Sequence, residues 1–153
     1  MSHAARIDIG ALKALSPELH AAMLALGKVA ETCGLEKDLI ELVKIRASQI
    51  NGCAYCVQFH INLARQLGIA PAKIDQLSAW KEAVIYSERE RAALAATDRL
   101  TVIAGQDVSD EEFAVISGAF PERELAGLLA TIGAINAWNR YGVMLRFIPL
   151  AAT

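Results

Sequence analysis

Asn51-Gly52 restricts the fold more than any other feature of the chain, because this strong turn dipeptide separates two stretches with helical periodicity. Upstream, from about Glu36 to Ile50, apolar residues run nearly all the way round a helix (Leu39, Ile40, Leu42, Val43, Ile45, Ala47, Ile50). That pattern belongs to a buried helix rather than a surface one. Downstream, a helix is predicted from about Cys53 to Leu67, with Gly68 as its stop. Two helices joined by so short a break form an antiparallel hairpin.

The rest of the chain repeats this grammar. Ser16-Pro17-Glu18 opens a helix with the stripe Leu19, Met23, Leu26 and Val29-Ala30, and Gly34 ends it. Pro71 opens a short helix through about Ala79. Capping boxes at Ser87–Glu90 and Ser109–Glu112 start helices of roughly 88–103 and 109–118. Pro121-Glu-Arg-Glu124 starts the last long helix, which passes Ile132, Ile135 and Trp138 toward Tyr141. The apolar tail from Met144 to Leu150 is expected to dock on a neighbour. No segment alternates like a strand, so the fold class is all-α, in a single domain spanning 1–153 with its chemical core at about 36–68.

Composition narrows function. The hydrophobic fraction of 54% exceeds the usual ~45–50%, which suggests surface buried between subunits and hence a homo-oligomer. A net charge of −2, with Lys and Arg scattered, argues against nucleic acid as a partner. The N-terminus, from Met1 to Asp8, lacks the apolar core of a secretory signal, and no apolar run approaches the ~20 residues of a membrane span. A cytoplasmic protein without membrane partners is expected. Three cysteines with one close Cys-x-x-Cys pair make a poor structural disulfide framework, so the pair reads as redox-active or metal-binding.

Cys53 directly follows the turn, where unpaired backbone N–H groups and the helix dipole favour a thiolate. Cys56 lies three residues on, on the same side, and His60 four beyond that, where its imidazole can take the Cys56 proton. On one continuous helix Glu41 would stand about 18 Å from Cys53. With the chain reversed at Asn51-Gly52 it falls level with positions 60 to 62, facing His60. The result is an acid–imidazole–thiol chain ending in a second thiol.

Other readings attach to the same residues. Glu41 also fits an exposed Lys37–Glu41–Lys44 charge ladder. The Cys pair with His60 offers three zinc ligands, but Cys33, His20 and His3 are distant in sequence, so no metal is expected. A thioredoxin-type site needs a preceding strand, and none is predicted. Cys33 reads as a small buried hydrophobe, Trp138 as core or interface, and Arg46 as the anchor of a buried ion pair.

Glu41, eleven residues, Cys53-x-x-Cys56, three residues and His60 together resemble the signature of AhpD-like alkylhydroperoxidases within the carboxymuconolactone decarboxylase family. Ile135-Asn-Ala-Trp138-Asn139-Arg140 is similar to the late helix of that family's small redox members. The resemblance implies an all-helical fold assembled as trimers or hexamers. It implies thiol-dependent reduction of hydroperoxides through a Cys53–Cys56 disulfide, without a bound cofactor, with Glu41 and His60 as proton relay. By the motif, Cys56 attacks the peroxide and Cys53 is the more accessible sulfur, first to meet the reductant. A lipoylated protein or a peroxiredoxin would complete the electron path. Founding peroxidases of the family carry histidine before the second cysteine, where this chain has Tyr55. A phenol cannot shuttle protons at neutral pH, but it can hydrogen-bond a substrate oxygen. The non-redox decarboxylase branch and a redox-sensing oligomer with little turnover are the competing readings.

Overall fold

The computed structural model describes residues 4–105 and 107–153. His3 and the first residues of the segment read for a targeting signal lie outside them. The described residues form eight α-helices, one 3₁₀ turn and no strand. In order these are α1 (Ile9–Leu15), α2 (Pro17–Cys33), α3 (Lys37–Asn51), α4 (Ala54–Gln66), α5 (Pro71–Asp75), the 3₁₀ turn Leu77–Ala79, α6 (Glu88–Thr101), α7 (Asp110–Gly118) and α8 (Glu122–Leu145). None of these helices is long and apolar enough to cross a membrane.

α3 is the central helix, packed against α4, α6 and α8. Its all-round apolar pattern has a direct cause, because each of its faces feeds a different part of the core. Leu39, Ile40 and Val43 meet Ala92, Ala96, Leu128 and Ile132. Leu42 and Ile45 meet Leu77, Trp80 and Leu94. Ala47 reaches the sulfurs and Ile135. The capping boxes at Ser87/Glu90 and Ser109/Glu112 are both formed, which fixes where α6 and α7 begin.

Arg46 is indeed an ion-pair anchor. Its Nε and Nη2 donate to Asp98 at 2.6 and 3.1 Å, and Trp80 Nε1 donates to the same carboxylate at 3.2 Å.

Several expectations change. α1, capped by the Asp8 carboxylate, was not predicted; a seven-residue helix with no buried residue gives no apolar stripe to read. The helix after Pro71 ends at Asp75 and tightens into a 3₁₀ turn, and α8 continues past Tyr141 to Leu145. The tail does not simply await a neighbour. Phe147 is buried, Asn62 Nδ2 donates to Ala151 O at 2.9 Å, and Arg65 donates to Thr153 O at 3.2 Å, so the tail lies along α4 of its own chain. Ile148 and Leu150 remain exposed.

Candidate active site

Gly52 places the two motif-bearing helices. It ends α3 with φ +67°, a left-handed conformation that glycine adopts without strain, and its N–H and that of Cys53 return to the last carbonyls of α3. Asn51 does more than break a helix. Its amide donates to Asn136 Oδ1 at 3.0 Å and Asn139 Oδ1 at 2.9 Å, while Asn139 donates to Ser48 Oγ at 2.9 Å. The turn is thereby tied to α8.

Cys53 is the N-cap of α4, and its sulfur accepts the Cys56 backbone N–H at 3.3 Å. A sulfur there receives an otherwise unpaired helix donor, which favours the anion once the thiol is reduced. Cys53 and Cys56 are disulfide-bonded, with Cα atoms 5.3 Å apart. Cys33 stands apart from them, free and half-buried beside Gly127.

Glu41 and His60 meet across α3 and α4: Oε2 lies 2.7 Å from Nδ1, and both residues are buried. Lys44 Nζ donates to the other carboxylate oxygen at 3.1 Å. The charge ladder is therefore only half present; Lys37 pairs with Glu31, and Glu41 is not exposed. Burial opposes the charged carboxylate of Glu41, but the hydrogen bond from His60 and the nearby charge of Lys44 outweigh it and hold the group below its usual range. Burial likewise drives His60 down, against the pull of Glu41. Near neutral pH the pair is thus an ionised Glu41 and a neutral His60. A carboxylate only accepts, so Nδ1 carries the hydrogen and Nε2 keeps a free lone pair.

A cavity of about 370 Å³ opens beside this pair. Cys56, His60, Tyr55, Phe59, Ile135 and Trp138 line it, with Met23 and His20 from α2 on its wall. Cys53 and Glu41 do not reach it. Cys53, expected to be the more accessible sulfur, is buried like Cys56, at 2% against 5% exposed, and it does not line the cavity. The physical reason is α8. A glycine inside a helix costs about 1 kcal/mol relative to alanine, yet Gly142 sits where any Cβ would stand 2.6 Å from Cys53 Sγ. The helix backbone walls that sulfur in.

Tyr55 stacks on Phe59 at 6.0 Å and meets Phe147 edge-on at 5.4 Å, and burial holds its phenol above the usual range. Trp138, read as core or interface, is half-buried on the cavity wall with His20 edge-on at 5.9 Å. His20 and Met23 were not legible as site residues, since only the packing of α2 on α8 brings them in. Among the described residues no group of three His, Cys, Asp or Glu side chains is placed to hold a metal ion.

Residues 17–99, over half of the chain, match the carboxymuconolactone decarboxylase family. The chain belongs to that family. It is 34% identical to the uncharacterised protein YdfG of Bacillus subtilis over 84% of this chain and 88% of that one. A structure of a protein of unknown function from Agrobacterium tumefaciens, proposed there as the antioxidant defence protein AhpD, is 37% identical and superposes with a TM-score of 0.89. That match covers 97% of this chain and 99% of the other. The debrominase Bmp8, at 22% identity and a TM-score of 0.79 over 90% of this chain and 74% of its own, shares the fold. An uncharacterised peroxidase-related protein from Silicibacter does so at 24% identity and a TM-score of 0.74, over 86% of this chain and 70% of its own.

Proposed function

We propose that this family member is a thiol-dependent peroxidase, or disulfide oxidoreductase, that reduces hydroperoxides through the Cys53–Cys56 pair. The observation that carries the reading is the shared cavity wall of Cys56 and His60, with Glu41 bonded behind the imidazole at 2.7 Å. In the reduced enzyme His60 Nε2 takes the Cys56 proton, and Glu41 stabilises the imidazolium. The Cys56 thiolate attacks the terminal hydroperoxide oxygen; an S–O bond forms, the O–O bond breaks, and sulfur loses two electrons. The departing alkoxide takes the proton from His60, leaving an alcohol and a Cys56 sulfenic acid. Cys53 gives up its thiol proton as its sulfur attacks the Cys56 sulfur, and that proton leaves with the displaced hydroxide as water. An external dithiol, such as a lipoyl group on a partner protein, or a peroxiredoxin partner, exchanges with the disulfide and restores both thiols.

Tyr55 lines the cavity, and in this reading its hydroxyl hydrogen-bonds a substrate oxygen. The reading includes a homo-oligomer, a trimer or hexamer, in the reducing cytoplasm; the hydrophobic fraction of 54% supports assembly. Two thiols are superfluous for decarboxylation, which favours the redox branch. The test is hydroperoxide consumption with a panel of dithiol donors, dihydrolipoamide among them. Turnover by the parent and its loss in Cys56→Ser are expected; a Cys56→Ser variant at the parent rate overturns the reading.

A further inference from the structure

We infer that Gly142 is a positioning residue for the thiol–disulfide step: the missing side chain leaves the space in which Cys53 Sγ stands when bonded to Cys56. The inference rests on the redox reading of this pair. A Cβ at 142 would lie 2.6 Å from Cys53 Sγ, 3.3 Å from Cys56 Sγ and 3.6 Å from Phe147 Cδ2. Favourable contact begins near ~3.5 Å, so the first two demand movement.

The surroundings cannot supply that movement. Gly142 is buried, and α8 is tied to the Asn51 turn through Asn136 and Asn139. Phe147 is folded back by its N–H bond to Gly142 O at 3.0 Å and by its ring contact with Tyr55. Cys53 is fixed at its backbone by a 3.0 Å bond from its N–H to Ser48 O. What remains free is the Cys53 side chain, and only as a thiol. Reduced, it can turn about Cα–Cβ away from position 142. Bonded to Cys56, it cannot. A methyl group at 142 therefore selects against the disulfide and against the approach of Cys53 thiolate to the Cys56 sulfenic acid. In that step the Cys53–Cys56 bond forms as the S–O bond breaks and hydroxide leaves, the hydroperoxide having supplied the oxidising equivalent.

The same helix supplies matched controls. A Cβ at Gly127 would crowd Cys33 Cβ at 2.8 Å and Ala30 Cα at 3.2 Å, away from the pair, and one at Gly133 meets nothing within 4 Å. The experiment equilibrates the parent, Gly142→Ala, Gly127→Ala and Gly133→Ala in glutathione redox buffers and reads the disulfide fraction by thiol alkylation and mass spectrometry. Gly142→Ala should shift the equilibrium toward the dithiol by about tenfold, or ~30 mV, while Gly127→Ala lowers Tm and leaves the pair's equilibrium at the parent value. After one equivalent of hydroperoxide, Gly142→Ala should accumulate Cys56 sulfenic acid trappable by a carbon nucleophile.

An unshifted Gly142→Ala equilibrium, or an equal shift in Gly127→Ala, overturns the inference. If Gly142→Ala does not fold, Cys53→Ala/Gly142→Ala should fold, because the crowded sulfur is gone; a double variant that also fails overturns it. The titration needs no turnover. A parent that forms the disulfide but consumes no hydroperoxide removes the peroxidase reading and leaves the role of Gly142 standing.

Discussion

Glu41→Gln separates the charge of the relay from its shape. The carboxylate accepts from His60 Nδ1 at 2.7 Å and from Lys44 Nζ at 3.1 Å, in a pair that is 6% and 9% exposed. Glutamine can still accept the Nδ1 hydrogen, so the imidazole keeps its tautomer and orientation. What it cannot do is stabilise the imidazolium that forms when Cys56 loses its proton. Hydrogen bonds to a charged group contribute about 1.5–3 kcal/mol, which at 1.36 kcal/mol per decade predicts a fall in kcat/KM of about 10- to 150-fold. The reduced protein gives an independent reading, since thiolate is the species that alkylates. Iodoacetamide trapping of Cys56 across pH should show its midpoint rising by about one to two units. Urea unfolding reports any loss of stability separately. A variant with peroxide turnover and alkylation profile both within about a factor of two of the parent would refute the relay, because that is under 0.5 kcal/mol.

His60 and Glu41 both have depressed folded-state pKa values, so the folded state binds fewer protons than the unfolded state in acid. Stability should be fully present above the ordinary histidine value of 6.5, fall as pH drops below it, and fall further below 4.5; Tm constant from pH 7 to 4 contradicts this. Tyr55→Phe should raise KM for hydroperoxide while leaving the alkylation profile of Cys56 unchanged, because the phenol stays neutral. Asp98→Ala strands the half-buried Arg46 and the Trp80 N–H, and should cost about 2–3 kcal/mol in urea unfolding without changing turnover per folded molecule.

Local chemistry was the legible part of this chain. Asn51-Gly52 announced the break, two capping boxes announced their helices, and the Glu41–Cys53–Cys56–His60 spacing anticipated the 2.7 Å contact across the break. These signals sit within one or two turns of the residues they control, or depend on a single reversal. Features set by distant packing were not legible. His20 and Met23 become cavity wall only because α2 lies on α8; in the sequence Met23 is an ordinary stripe position and His20 is a histidine distant from the motif. The burial of Cys53 and the need for a glycine at 142 come from one contact between residues far apart in the chain, where the sequence offers only a glycine inside a helix.

The central claim is that Cys56, not Cys53, is the sulfur that meets the substrate. Its most direct test is mass-spectrometric mapping of the reduced Cys53→Ser variant after a single exposure to one equivalent of hydroperoxide. One oxygen should be retained on Cys56, trappable as sulfenic acid, with no comparable oxidation of Cys53 in the reciprocal Cys56→Ser variant. Rapid oxidation of Cys53 in Cys56→Ser, with Cys56 untouched in Cys53→Ser, would contradict it.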